Sequence, residues 1–238
     1  MERQRLAAAA LAALAACSSG TDGVPISGLR PDFAVQIPVS GPSRVAAVLY
    51  QGGQRFSLYD WDRLSASVGG VARILVPVDG VVGPSYEGEF PSLGEGDLAA
   101  VAFASLGAPG AVVSSVRAPA PVLMTSPSAG VTVQVGATLG IAWRPAGTDD
   151  RVSVHIRASR CTGDTTGGSE VVEVPDAGEA DVPVLESLLP PAFPPGGSCT
   201  ADVWVERARA GTVSSQFAPG GRIEARQVSN LAPIAVVR

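Results

Sequence analysis

The sequence predicts an all-β protein made of two sandwiches, and three observations carry that expectation. First, 28 glycines and 20 prolines make up about a fifth of the 238 residues. That is short of the ~25–30% of disordered low-complexity chains and suits many short strands joined by tight turns. Second, Val-rich runs with a period of two lie between those turns. Third, beyond the first 16 residues no long apolar pattern follows the helical period.

Ordered structure is expected from residue 32. Phe33, Val35 and Ile37 alternate with Ala34 and Gln36, a first strand. Ser40-Gly41-Pro42-Ser43 turns the chain into a second strand over 45–50. After Gln51-Gly52-Gly53-Gln54, a third is expected over 55–61, with Phe56 and Leu58 on one face and Tyr59 and Trp61 on the other. Further strands are expected over 71–78, 86–90, 98–104 and 111–116. The run at 98–104 is nearly all apolar and reads as buried on both faces. Seven strands in about 85 residues fit a sandwich, so 32–118 is read as the first domain.

Ala118-Pro119-Ala120-Pro121 reads as the boundary, and 119–238 as the second domain. Its strands are expected over 131–135, 139–143, 152–156, 170–174, 180–184 and 201–205, with Pro190 to Pro195 as a connection. Ile223 to Val237 is expected to close this module with one or two strands. No internal repeat aligns the two halves; the division rests on strand count.

The N-terminus has another character. Arg3 and Arg5 precede an unbroken Leu/Ala run from Leu6 to Ala16. Such a run is too short to span a hydrocarbon core, which needs about 20 residues, and the pattern is that of a secretory signal peptide. It ends in Leu14-Ala15-Ala16-Cys17, which resembles the lipobox of bacterial lipoproteins. The resemblance implies that residues 1–16 are removed and that Cys17 takes a diacylglycerol and acyl chains such as palmitate. Residues 17–31, polar and rich in Gly and Pro, then form a lipidated tether. Each buried CH₂ of an acyl chain contributes about 0.8 kcal/mol, so two or three chains hold firmly. Ser18 after the Cys implies the outer membrane if the cell has one, and in any case a cell-envelope protein.

A second resemblance lies past the boundary. Ser126-Pro127-Ser128-Ala129-Gly130 precedes Val131, Val133 and Val135, and then Leu139, Ile141 and Trp143. This resembles the opening strands of bacterial immunoglobulin-like or fibronectin-III-like modules, and the whole chain looks like bacterial lipoproteins built this way. The implied fold is a tandem of immunoglobulin-like β-sandwiches behind a lipoprotein signal peptide.

Once Cys17 is acylated, Cys161 and Cys199 are the only pair left, in a compartment where disulfides persist. The strand reading puts Cys161 just after the 152–156 strand and Cys199 at the start of the 201–205 strand. In an immunoglobulin-like sheet these are strands C and F, antiparallel neighbours, so a bridge is expected. The antibody bridge between strands B and F does not carry over, because strand B holds Trp143.

Charge bounds the partners. The formal charge is −5, and all 17 basic residues are Arg; removal of Glu2, Arg3 and Arg5 with the signal makes it −6. Without a basic stripe, nucleic acid is not an expected partner. His155 is the only histidine, on the polar face of its strand. No Gly-x-Ser-x-Gly elbow accompanies it, and one His with two distant Cys lacks zinc spacing. Glu87, Glu89, Glu95 and Asp97, with the smaller Asp60/Asp62 and Asp149/Asp150 pairs, are candidate calcium or acid–base groups. Tyr59, Trp61 and Trp204 are candidate contact aromatics. No catalytic residue, metal or cofactor is expected. The reading is a non-enzymatic cell-envelope lipoprotein that presents a binding or structural β-sandwich surface. Its partners are the membrane, through Cys17, and an envelope protein or glycan of unspecified identity. A small envelope hydrolase or carbohydrate-binding protein is the alternative.

Overall fold

A computed structural model describes residues 25–81, 83–105, 110–163, 165–191 and 193–238. The described chain is all strand apart from two short 3₁₀ turns, Ile26–Gly28 and Glu186–Leu188. Cys17 and the signal segment lie outside the described residues.

The first half contains β1 (Arg30–Ile37), β2 (Ser43–Gln51), β3 (Gln54–Arg55), β4 (Arg63–Val68), β5 (Val71–Ile74), β6 (Val76–Val78), β7 (Ser85–Phe90), β8 (Leu98–Ala104) and β9 (Val112–Arg117). The second contains β10 (Leu123–Ser126), β11 (Thr132–Gln134), β12 (Thr138–Arg144), β13 (Arg151–Cys161), β14 (Ser169–Val174), β15 (Glu179–Pro183), β16 (Ser198–Ala210), β17 (Arg222–Val228) and β18 (Ala232–Val237).

Two hydrophobic cores divide these strands. Alternation sets the first: β1 points Phe33, Val35 and Ile37 inward and β2 points Val45, Ala47 and Leu49 to meet them. The sheet β5-β4-β8-β9 covers them with Leu64, Val101 and Phe103. The second core gathers around Trp143, Ile156, Val203 and Ile234. There β10-β12-β15 forms one sheet, opposite the strands β11-β18-β16-β13-β14. That is the strand arrangement of an immunoglobulin-like sandwich, with β13 and β16 in the C and F positions.

The two halves are not separate beads. β16 is 13 residues long and outruns its own core. Its first part pairs with β18 and β13, and its last part, Glu206 to Ala210, pairs with β17. β17 in turn lies parallel to β1 and delivers Ile223 and Ala225 to the first core, where Phe217 from the preceding loop joins them. One hydrogen-bonded sheet therefore runs through both modules. Of the one or two strands expected over Ile223 to Val237 to close the second module, β18 does so, while β17, although inside 119–238, packs on the first core. The long strand ends inside the neighbour, so the chain returns along that neighbour's edge at β1.

Other differences are local. Residues 56–62 form an irregular crossover rather than a strand, and β4 follows it. The expected strand at 71–78 breaks at Leu75, which is 3% exposed; β5 before it pairs with β4 and β6 after it with β7, so the chain switches sheets there. β8 is buried on one face only, its alanines covering the other side. The expected tether over 17–31 also ends early. Ile26 packs on the first core, Leu29 is fully buried and Arg30 opens β1.

Candidate functional site

The outer face of β13 and β16 brings together two of the side chains singled out from the sequence, His155 and Trp204, with polar neighbours from β17. Register dictates it. His155 pairs with Trp204 and Ser153 with Glu206 across β13 and β16, all on the face opposite the core. The His155 and Trp204 rings stack at 4.8 Å between centroids, 12° apart. Trp204 is thus half covered by a histidine rather than presented to solvent. Ser153 Oγ lies 3.0 Å from His155 Nε2, and Glu206 Oε2 lies 4.0 Å from the same nitrogen. A Ser-His-acid relay needs serine and carboxylate on opposite ring nitrogens, so this trio is not one. Burial, and secondarily the Arg226 guanidinium, hold the His155 pKa below its ordinary value.

From Glu206 a ladder of charges runs toward the first module. Arg226 Nη1 lies 3.5 Å from Glu206, and Arg226 Nη2 donates to Glu224 at 2.7 Å. Arg151 donates to the other Glu224 oxygen. Burial pushes the Glu206 carboxyl up, with Arg226 opposing it. These pairs cross-link β13, β16 and β17 over the junction of the two modules.

Beside the ladder a groove of about 700 Å³ is lined by Asp149, Asp150, Arg151, Arg209, Arg222 and Glu224 among others. Several carboxylates face it, as glycoside hydrolysis requires of a pair. Asp150, however, accepts two bonds from Arg209, at 2.6 and 2.9 Å. Glu224 is held by Arg151 and Arg226. Asp150 and Glu224 are thus each engaged by a guanidinium, and Asp149, the third acid of the lining, is exposed to solvent.

Under the groove sits an arrangement the sequence reading missed. Arg207 is fully buried. It donates to the carbonyls of Ala120, Pro121 and Pro145 and to both oxygens of Asp176. Asp176 also accepts from Trp143 Nε1 at 2.7 Å and from Thr148. Burial alone pushes the Asp176 carboxyl up; the bonds from Thr148, Trp143 and Arg207 outweigh it and hold it below the ordinary range. Arg209 donates to Ala118 as well. The Ala118-to-Pro121 segment is therefore clamped, not an open linker. The signal was present: Arg207 continues the inward phase of Ala201, Val203 and Val205.

The remaining candidates disperse. Glu87 pairs with Arg44, and Asp97 caps a turn by accepting from Gly94 N at 2.8 Å. Among the described residues no group of three or more His, Cys, Asp or Glu could hold a metal. Tyr59 and Trp61 lie in the 56–62 crossover, stacked at 5.1 Å and exposed. Cys161 and Cys199 are direct cross-strand partners on β13 and β16 and are joined by a disulfide.

No family model matches the chain, and no curated protein does either. Solved structures do. The Yersinia pseudotuberculosis adhesin InvE aligns at 13% identity over 87% of this chain and 62% of its own, with a TM-score of 0.27. The BSP domain of a biofilm-associated protein aligns at 11% identity over 88% and 29%, TM-score 0.27. The fibronectin(III)-like modules of Clostridium thermocellum CbhA align at 10% identity over 87% and 93%, TM-score 0.25. The chain thus spans under two thirds of the length of the first two.

Proposed function

We propose that this is a non-enzymatic, lipid-anchored protein of the cell envelope whose two sandwiches act as one rigid body that presents a binding or structural surface. The Cys161–Cys199 bridge carries the reading, since such bonds persist in oxidising compartments outside the cytoplasm. The Leu14-Ala15-Ala16-Cys17 ending supports an anchor at Cys17. The ion ladder, the shared strand β16 and the Arg207 clamp support rigidity, because all three spend their polar groups on joining the modules. A hydrolase reading gains little from the groove, where Asp150 and Glu224 are already engaged by arginines.

The test is fractionation of cells that express the natural chain and Cys17→Ser. The natural chain is expected with the membranes and labelled by a fatty-acid probe. The variant is expected unlabelled, and soluble or unprocessed. Normal processing and membrane association of Cys17→Ser would overturn the anchor.

A further inference from the structure

The strand registers give the molecule a polarity. Arg30 opens β1 opposite Tyr50 at the end of β2, and β17 starts beside them, Arg222 facing Asp32. β4 starts at Arg63, opposite Ala104 at the end of β8. All of these lie at the end of the first sandwich where the chain enters. The other ends of these strands, through Arg117 and Val228, lead to the second module, and the Cys161–Cys199 bridge lies farther still along β16.

The entry end carries an unusual surface. In the 56–62 crossover, Phe56 packs edge-on to Tyr59 at 5.7 Å, and Tyr59 stacks on Trp61. Trp61 is 46% exposed and Tyr59 39%. The loop holds the rings in place: Asp62 N donates to the Tyr59 carbonyl, Asp62 Oδ2 accepts from Tyr59 N, and Tyr86 Oη accepts from Leu58 N. Arginines flank it. Arg63 donates to the Asp60 and Asp62 carbonyls, Arg55 to the Gly83 carbonyl, and Arg30 lies over the Tyr50 ring at 4.8 Å. Exposed Trp and Tyr with Arg beside them are the composition of a membrane–water interface, where an amphipathic ring has one apolar side and one wet.

What lies next to this surface follows from chain length. Nine residue steps separate Cys17 from Ile26, which is already packed on the first core. At full extension that is about 30 Å. A surface tethered so closely meets the bilayer at high effective concentration, so even a weak contact is populated.

We propose that the entry end of the first sandwich docks on the bilayer interface through Tyr59 and Trp61, which sets the protein upright with its disulfide end outward. This rests on the anchor reading of Cys17. The test uses the full lipidated chain in phosphatidylcholine vesicles, some of whose lipids are brominated on the upper acyl chain. Bromine quenches tryptophan at contact. Wild-type emission is expected to fall, and Trp61→Phe is expected to lose most of that quenching, because Trp143 is buried in the second core and Trp204 is on the second module. An intact Cys161–Cys199 bridge and an unchanged circular dichroism spectrum check that the variant folds. Anchored protein without quenching, or with quenching independent of Trp61, overturns the docking while the anchor stands. Trp61 emission that responds to added cell-wall polysaccharide and not to brominated lipid overturns it in favour of a glycan site. A natural chain found in the soluble fraction overturns the anchor and the docking together.

Discussion

Arg207 places one guanidinium nitrogen, Nη2, 2.9 and 3.0 Å from the two carboxylate oxygens of Asp176, and both side chains are sealed from water. A buried ion pair is weak evidence for stability against an apolar replacement. Removing one partner is another matter, since it strands a charge and costs about 3–5 kcal/mol. Here it would also strand the Ala120, Pro121 and Pro145 carbonyls. Arg207→Met is therefore expected to lower the unfolding free energy by about that amount in a urea titration. It should also open the 118–121 segment to a protease that the wild type is expected to resist. Arg207→Met with Asp176→Asn should recover part of the loss. A loss under about 1 kcal/mol, in the range of an exposed pair, would count against the clamp.

This clamp also shows how far the sequence could be read. Strand positions were legible wherever one face is wet, because alternation names the buried set: Phe33, Val35 and Ile37 behave so, as do Ala201, Val203 and Val205. The crossover at 56–62 was not legible. Its Phe56, Leu58, Tyr59 and Trp61 alternate as a strand would, yet the rings pack on one another instead of across a sheet. The return of β17 to the first core was hidden for a different reason. Ile223 and Ala225 have the same pattern in either module, and only the length of β16 decides which edge they meet. Arg207 stayed hidden because a charge on an inward face reads as the end of a strand unless its partner, here Asp176 in a distant turn, is known. The cysteine pair was legible because its strands are adjacent and only two cysteines remain once Cys17 is set aside.

That pair yields a prediction. Cys161 and Cys199 sit opposite each other with Cα atoms 3.9 Å apart. Cys161 N bonds to the Thr165 carbonyl rather than across to Cys199, as in a non-hydrogen-bonded cross-strand pair, where the chains approach most closely. The bridge spans a sequence separation of 38, for which chain entropy gives about 4 kcal/mol. Cys161→Ala with Cys199→Ala should lower the urea midpoint, read by Trp143 in the second core. Thiol titration of the unfolded wild type should find neither cysteine free. Two reactive thiols, or an unchanged midpoint, would contradict the bond or its weight.

His155 supplies the last prediction. It is the only histidine, so its imidazole signal is unambiguous in a titration followed by NMR. Burial against Trp204, and to a smaller degree the positive Arg226, disfavour its charged form, so its midpoint is expected below the ordinary 6.5. The sign for stability follows by linkage. The folded-state value is the lower one, so the contribution is complete above about pH 6.5 and is lost as pH falls from there through the folded-state value. Trp204→Ala removes the cover and should move the midpoint up toward 6.5. Arg226→Gln should move it up by less, since the charge is the smaller of the two causes. A wild-type midpoint at or above 6.5, or one that Trp204→Ala leaves in place, would mean that the ring pair is not packed as described. It would equally mean that the outer face of β13 and β16 is wetter than the stack between His155 and Trp204 allows.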